Sequence, residues 1–164
     1  MSIARPIVKG IVRPILSTVD GGKILVGPTI ENGGFEIAGS GTDFEGWVST
    51  EIGSSTVDRD TSEKYSGSAS LRLTVVSGGN VYVNKTGLIT AGKNYRYSFW
   101  GKCSDTTKTL GVQNTTIYEH TLTTSWQRFT GSFVGQTSNF LLIRRTFSLT
   151  YNIWVDNFEL IEEQ

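Results

Sequence analysis

The amino-acid sequence predicts an all-β chain, an antiparallel β-sandwich preceded by an extended N-terminal arm. Three observations lead there. The composition holds 19 glycines and 11% aromatic residues among many Ser, Thr and Asn, with few strong helix formers. Apolar residues recur at period two in several short segments, and those segments are separated by Gly- and Asn-rich clusters that read as turns.

The arm comes first, residues 1–28. Arg5-Pro6-Ile7-Val8 is echoed by Arg13-Pro14-Ile15-Leu16 at an offset of eight residues, with Lys9 and Gly10 between the copies. Each proline biases its predecessor toward extended geometry, so a continuous amphipathic helix is not expected. Arg5, Lys9, Arg13 and Lys23 against Asp20 give the segment a net +3, interleaved with Ile, Val and Leu. Lys9 and Arg13 break the apolar stretch that a secretory signal would need. An extended strand of this kind can pair with a partner's sheet edge, so Arg5, Ile7, Lys9, Arg13 and Ile15 are candidate assembly anchors. The alternatives are a disordered tail or a membrane-surface segment.

The domain follows over residues 29–164. Ser68–Val76 alternates with Leu71, Leu73 and Val75 on one face, and Val81–Val83, Tyr95–Lys102 and Trp126–Val134 behave alike. Gly78-Gly79-Asn80, Thr90–Asn94 and Gly135–Asn139 punctuate them as turns. Many short strands with no helical stretch between them imply packed antiparallel sheets, or as a lesser alternative a closed barrel.

Several functions are disfavoured at this level. With 15 basic and 15 acidic residues there is no broad attraction to nucleic acid, and no apolar run approaches the ~20 residues that cross a bilayer. One histidine, His120, and one cysteine, Cys103, cannot build a zinc cluster. His120 reads as a surface or hydrogen-bonded residue, and Cys103 as a buried thiol at a strand end. The carboxylates outside the strands sit in Gly-, Ser- and Thr-rich stretches without a catalytic setting, so no enzymatic activity is expected.

Six segments in order resemble the jelly-roll carbohydrate-binding modules attached to xylanases, across about residues 30 to 162: Asn32–Glu36, Trp47, Tyr65–Leu73, Ala91–Lys102, Trp126–Thr130 and Ile153–Leu160. The opening residues are similar to the N-termini of small tailed-phage structural proteins. Together these resemblances imply a non-catalytic protein at the virion surface, on the tail or the capsid. Its arm would contact other virion proteins, its jelly roll would display a site for a cell-surface glycan, and assembly into a homo-oligomer is expected. The alternatives are a purely architectural decoration protein, or an accessory polysaccharide-binding module of a secreted glycanase.

The resemblance also implies a structural Ca2+ at Glu36 and Asp156, aided by backbone carbonyls near Asn32 and Lys64. The same two carboxylates are equally readable as a hydrogen-bonded strand-end pair without metal. For sugar binding, rings that stack on C–H faces and neighbouring hydrogen-bonding groups are the required chemistry. Alternation turns Arg96, Ser98, Trp100 and Lys102 away from Tyr95, Tyr97 and Phe99, and turns Tyr82 and Asn84 away from Val81 and Val83. Candidate binding residues are therefore Trp47, Tyr82, Asn84, Trp100, Lys102, Tyr118 and Arg144, with Gln113 as a companion. Trp47 either binds or caps the core, Trp100 serves a glycan platform or a subunit interface, and Trp126 is assigned to packing.

Overall fold

The structure is a computed structural model that describes residues 19–20, 23–24, 30–40, 44–106, 108–137, 140–144 and 150–163, with backbone only for 140–144 and for the four residues before 30. The anchor candidates Arg5, Ile7, Lys9, Arg13 and Ile15 lie outside the described residues. Near the arm's end, β1 (Val19–Asp20) pairs antiparallel with β2 (Lys23–Ile24).

The remaining strands are β3 (Val48–Ile52), β4 (Thr56–Asp60), β5 (Ser70–Val75), β6 (Asn80–Lys85), β7 (Asn94–Cys103), β8 (Lys108–Gln113), β9 (Ile117–Leu122), β10 (Gln127–Val134), β11 (Phe140–Arg144) and β12 (Tyr151–Glu163). They form two five-stranded sheets, the first in the order β10-β7-β12-β5-β4 and the second in the order β3-β6-β11-β8-β9. Every pairing is antiparallel. Among the ten described strands of these two sheets, only β4–β5 and β8–β9 are consecutive strands that pair within one sheet; the other links from β3 onward pass from one sheet to the other. That alternation between layers makes a jelly-roll sandwich.

The core follows from period-two burial. In β7, Tyr95, Tyr97, Phe99 and Cys103 are buried, and in β5 so are Leu71, Leu73 and Val75. Val81 and Val83 of β6 and Leu110 and Val112 of β8 meet them from the second sheet. Cys103 is a fully buried thiol near the end of β7. His120 is half-buried on the inward side of β9, where its Nε2 is hydrogen-bonded to Tyr97 Oη at 2.8 Å and its ring meets Phe99 and Phe129. Burial lowers the His120 pKa and, with the nearby Tyr118, pushes the Tyr97 phenol up to about 12. Gly131 faces Tyr97 across the β10–β7 ladder, and a Cβ there would collide with the phenol oxygen.

Central β12 carries a bulge between Asp156 and Glu159, with Asn157 at φ 47°. Asparagine tolerates this left-handed conformation better than most residues. The bulge lets Phe158 point inward while its N–H donates to Gly33 O at 2.8 Å, closing the first loop of the domain onto the last strand.

Candidate functional site

The outer face of the first sheet collects aromatic and charged side chains. Register aligns Lys102 with Trp154, Trp154 with Arg72, and Arg72 with Asp58 across β7, β12, β5 and β4. The Lys102 ammonium lies 5.1 Å from the Trp154 ring centroid and 5.9 Å from that of Trp126, and binds Glu63 Oε2 at 2.8 Å. Trp100, also outward, stands between Arg128 and Asp156. Tyr65, from the β4–β5 loop, stacks flat on Trp100 with centroids 3.7 Å apart and planes at 12°, and meets the Trp126 ring at 6.1 Å and 61°.

Three carboxylates fix that loop. Asp60 Oδ1 accepts from Ser62 N, Ser62 Oγ and Glu63 N, while its Oδ2 accepts from Trp154 Nε1 at 2.9 Å and Arg72 at 3.3 Å. Burial alone would raise the Asp60 pKa; the Ser62 hydroxyl, the Trp154 indole and the backbone donors outweigh it and hold the acid well below the usual range. Asp156, fully buried, accepts from Tyr65 N and Ser66 N through Oδ2 and from Asn157 N through Oδ1. Glu36 Oε2 accepts from Ser68 N and Ser68 Oγ. Glu36 and Asp156 therefore both fasten residues 65–68. Burial, and to a lesser degree the charge of Glu36, raises the Asp156 pKa, since its three backbone donors do not fully compensate. Glu36 is shifted the other way: burial opposes ionisation, but the Ser68 donors and Arg59 outweigh it.

The outer face of the second sheet is different in kind. One row across it reads Thr50, Tyr82, Ile143, Gly111 and Glu119, and the next reads Val48, Asn84, Leu141, Gln113 and Ile117. Val48 is 54% and Ile52 48% exposed, and Tyr82, Asn84 and Gln113 are half-exposed. Among the described residues, the side-chain polar atoms of Tyr82 and Asn84 make no hydrogen bond, and Gln113 donates only to Thr115 O at 3.2 Å. Glu119 is the only formally charged side chain described on this face, in a row of hydroxyl, amide and apolar groups.

No family model matches this sequence, nor does any curated protein. The structure does find neighbours. It is similar to the CBM22-1 xylan-binding domain from Paenibacillus barcinonensis Xyn10C, with a TM-score of 0.60 and 19% identity over 83% of this chain and 95% of that one. It is similar also to TmCBM61, solved with β-1,4-galactotriose, with a TM-score of 0.58 and 17% identity over 81% of this chain and 97% of that one. The fold is that of a carbohydrate-binding module. The same sandwich matches part of tailspike protein 4 of bacteriophage CBA120, with a TM-score of 0.56 and 15% identity over 80% of this chain and 21% of that one. At these identities the likeness is one of fold.

The candidate binding residues do not converge. Tyr82, Asn84 and Gln113 share the outer face of the second sheet, whereas Trp100 and Lys102 share that of the first. Trp47 belongs to neither. It is 3% exposed, packed on Phe35 and Phe158, with its indole donating to Asn32 O, so the core-capping alternative is the one realised. Tyr118 pairs with inward-facing Val112, and its ring lies 6.2 Å from Phe133, so it packs against the core instead of facing a ligand. Arg144 pairs with Val81 and Leu110, and its side chain lies outside the described residues. Trp126, expected to pack inside, is half-exposed on the outer face. Sequence reasoning missed Tyr65 and Trp154. Tyr65 sits in a loop with no periodicity, but Trp154 was detectable, because it alternates with Ile153 and Val155 in a strand-like run.

Proposed function

We propose that this domain binds an uncharged oligosaccharide along the outer face of the second sheet, as the glycan-recognising part of a tailed-phage virion protein held in its particle by the N-terminal arm. The observation that carries the first half is the half-exposed Tyr82 ring beside amides, on a face where no described side chain is cationic. A pyranose would stack its C–H face on Tyr82, while its hydroxyls bond to Asn84 and Gln113, whose side chains have, among the described residues, only the Gln113–Thr115 hydrogen bond. The paucity of charge among the described residues of this face favours a neutral ligand, since none of them offers an anionic sugar a cation to offset Glu119. Exposed Val48 and Ile52 extend the apolar track along the edge strand. The second half is supported by the arm's alternating basic and apolar residues and by the occurrence of this sandwich within a phage tailspike.

A structural Ca2+ belongs to the same proposal. Glu36 and Asp156 form a hard-oxygen pair flanking residues 65–68, and Asp156 has its pKa raised by burial and by the charge of Glu36, which is the setting a divalent cation relieves. Among the described residues no third acidic, His or Cys side chain joins them, so backbone carbonyls would complete the shell.

The tests are direct. On a broad glycan array the wild-type protein is expected to show hits that are lost in Tyr82→Ala and weakened in Asn84→Ala, with folding checked by circular dichroism. If every hit persists in Tyr82→Ala, the site lies elsewhere. Removal of residues 1–24 is expected to abolish incorporation into particles; normal incorporation refutes the anchor. The melting temperature should rise with added CaCl2 and fall with chelator, and no response to either rejects the ion.

A further inference from the structure

Three of the four tryptophans, Trp100, Trp126 and Trp154, stand outside the hydrophobic core cluster on the outer face of the first sheet, with Tyr65 stacked on Trp100 and edge-on to Trp126. The sandwich core is complete without these rings, and a solvent face of a sheet needs none of them. Trp154 has a structural explanation, because its indole anchors Asp60 and its ring lies under Lys102. Among the described residues the Tyr65 and Trp126 side chains make no such hydrogen bond, and Lys102 is farther from the Trp126 ring, at 5.9 Å. Tyr65 is 42% exposed, and with one face against Trp100 the open part of its ring is the opposite face and rim.

From this we infer that Tyr65 and Trp126 form a second glycan-contact platform, on the side of the sandwich opposite Tyr82. Trp100, expected from the sequence to be the stacking surface, is instead the support: its face is taken by Tyr65, which presents a ring one layer further out. The ring is held in place. Asp60 ties residues 62 and 63, Asp156 ties Tyr65 and Ser66 by their backbone N–H groups, and Glu36 ties Ser68. Little ordering is left for a ligand to impose, which is the condition for tight binding from few contacts.

The chemistry around the rings selects the class of ligand. Glu63, 45% exposed at its side chain, is paired to Lys102, and Arg128, 56% exposed, is near Glu159 at 3.6 Å and directly opposite Trp100 in the ladder. The cores of protein–protein interfaces are depleted of charge, whereas a ring bordered by exposed carboxylates and guanidinium suits a ligand with one apolar C–H face and a rim of hydroxyls. The two signs balance, so the sugar need not be charged. This platform shares no residue with the Tyr82 face and stands or falls separately from it.

The experiment compares wild type, Tyr65→Ala, Trp126→Ala and Tyr82→Ala on the same glycan array, and titrates any hit while recording the four indole N–H signals by two-dimensional NMR. The expected result is a set of hits weakened at least tenfold by Tyr65→Ala and by Trp126→Ala but kept in Tyr82→Ala, with the Trp126 indole shifting and the core Trp47 indole silent. Hits lost only in Tyr82→Ala overturn this inference and leave the first site standing. Hits lost only in the Tyr65 and Trp126 variants support it and overturn the first site. An array without any hit overturns both. Self-association in light scattering that Tyr65→Ala abolishes would also overturn it, by showing that the occupant is a second copy of the chain. Tyr65→Phe keeps the stacked ring, so retained binding there with loss in Tyr65→Ala separates stacking from loop collapse.

Discussion

Replacing Asp60 with asparagine tests whether the β4–β5 loop is fastened as described. Asp60 is 6% exposed and accepts from five donors, three on Oδ1 and two on Oδ2. Asparagine keeps one acceptor oxygen. If it faces Ser62 and Glu63, its amide N–H2 is turned against the Trp154 indole and Arg72, and if it flips, three donors lose their acceptor. At least two hydrogen bonds to a charged group disappear, each worth roughly 1.5 kcal/mol or more, so the loss is about 3 kcal/mol. For a domain of this size that corresponds to a fall in melting temperature of roughly 10 °C. The assay is thermal unfolding by circular dichroism at pH 7, with Asp58→Asn as control. Asp58 pairs with Arg72 at 3.2 Å with both side chains 35% exposed, and its loss should cost below about 1 kcal/mol. The pH dependence gives a second check. The Asp60 pKa is depressed in the fold, so its contribution is fully present above the unfolded value of about 3.9 and is lost as pH falls through the lower folded value. The gap between wild type and Asp60→Asn should therefore be constant from pH 7 to 5 and narrow below about 4. A variant melting within 2 °C of wild type at pH 7, on the order of 0.5 kcal/mol, would refute the fastening.

Other outcomes follow from the core. Gly131→Ala would drive a methyl group into the Tyr97 phenol; overpacking of this kind costs about 1–3 kcal/mol, measurable as a shifted urea midpoint, and an unshifted midpoint would mean that the β10–β7 ladder has slack there. His120 titrates below its ordinary value because it is buried, so the native state loses stability as pH falls from about 6.5 toward the folded value. His120→Gln should remove that slope in a pH series of denaturant midpoints, and an unchanged slope would assign it to other groups.

How far the sequence reaches is visible residue by residue. The four segments read as strands became β5, β6, β7 and β10 within a residue or two, because period-two alternation between turn signals buries one face only in an extended strand. The same alternation correctly turned Tyr82, Asn84, Trp100 and Lys102 outward. What it does not carry is which sheet a strand joins. The β6–β7 link crosses between layers, so two outward rows that are close in sequence ended on opposite sides of the sandwich. Trp47 lay beyond the method for another reason: it precedes β3 in a loop, and its orientation is set by the Asn32 carbonyl and the Lys85 ammonium, contacts no local pattern encodes. The exposed position of Trp126 likewise depends on a loop arriving from β4.

That loop shows how distant residues can build one surface. Glu36, Asp60 and Asp156 belong to the first loop, a strand end and the last strand, yet all three carboxylates terminate on residues 62–68. Each uses backbone N–H groups as donors, joined by the Ser62 and Ser68 hydroxyls, so the loop's path is fixed while the Tyr65 side chain is left free of these anchors. The path places Tyr65 on Trp100, and Lys102 bridges two further rings, those of Trp126 and Trp154. A loop held by its backbone in this manner can change what its side chains contact without losing its place in the fold. The second sheet's outer face has the opposite economy: its side chains stand on strands whose ladders fix them, and they need no internal partner. Substitutions at Asp60 should therefore disturb the Tyr65 face and leave the Tyr82 face intact, which makes the two surfaces separable by mutation in a single fold.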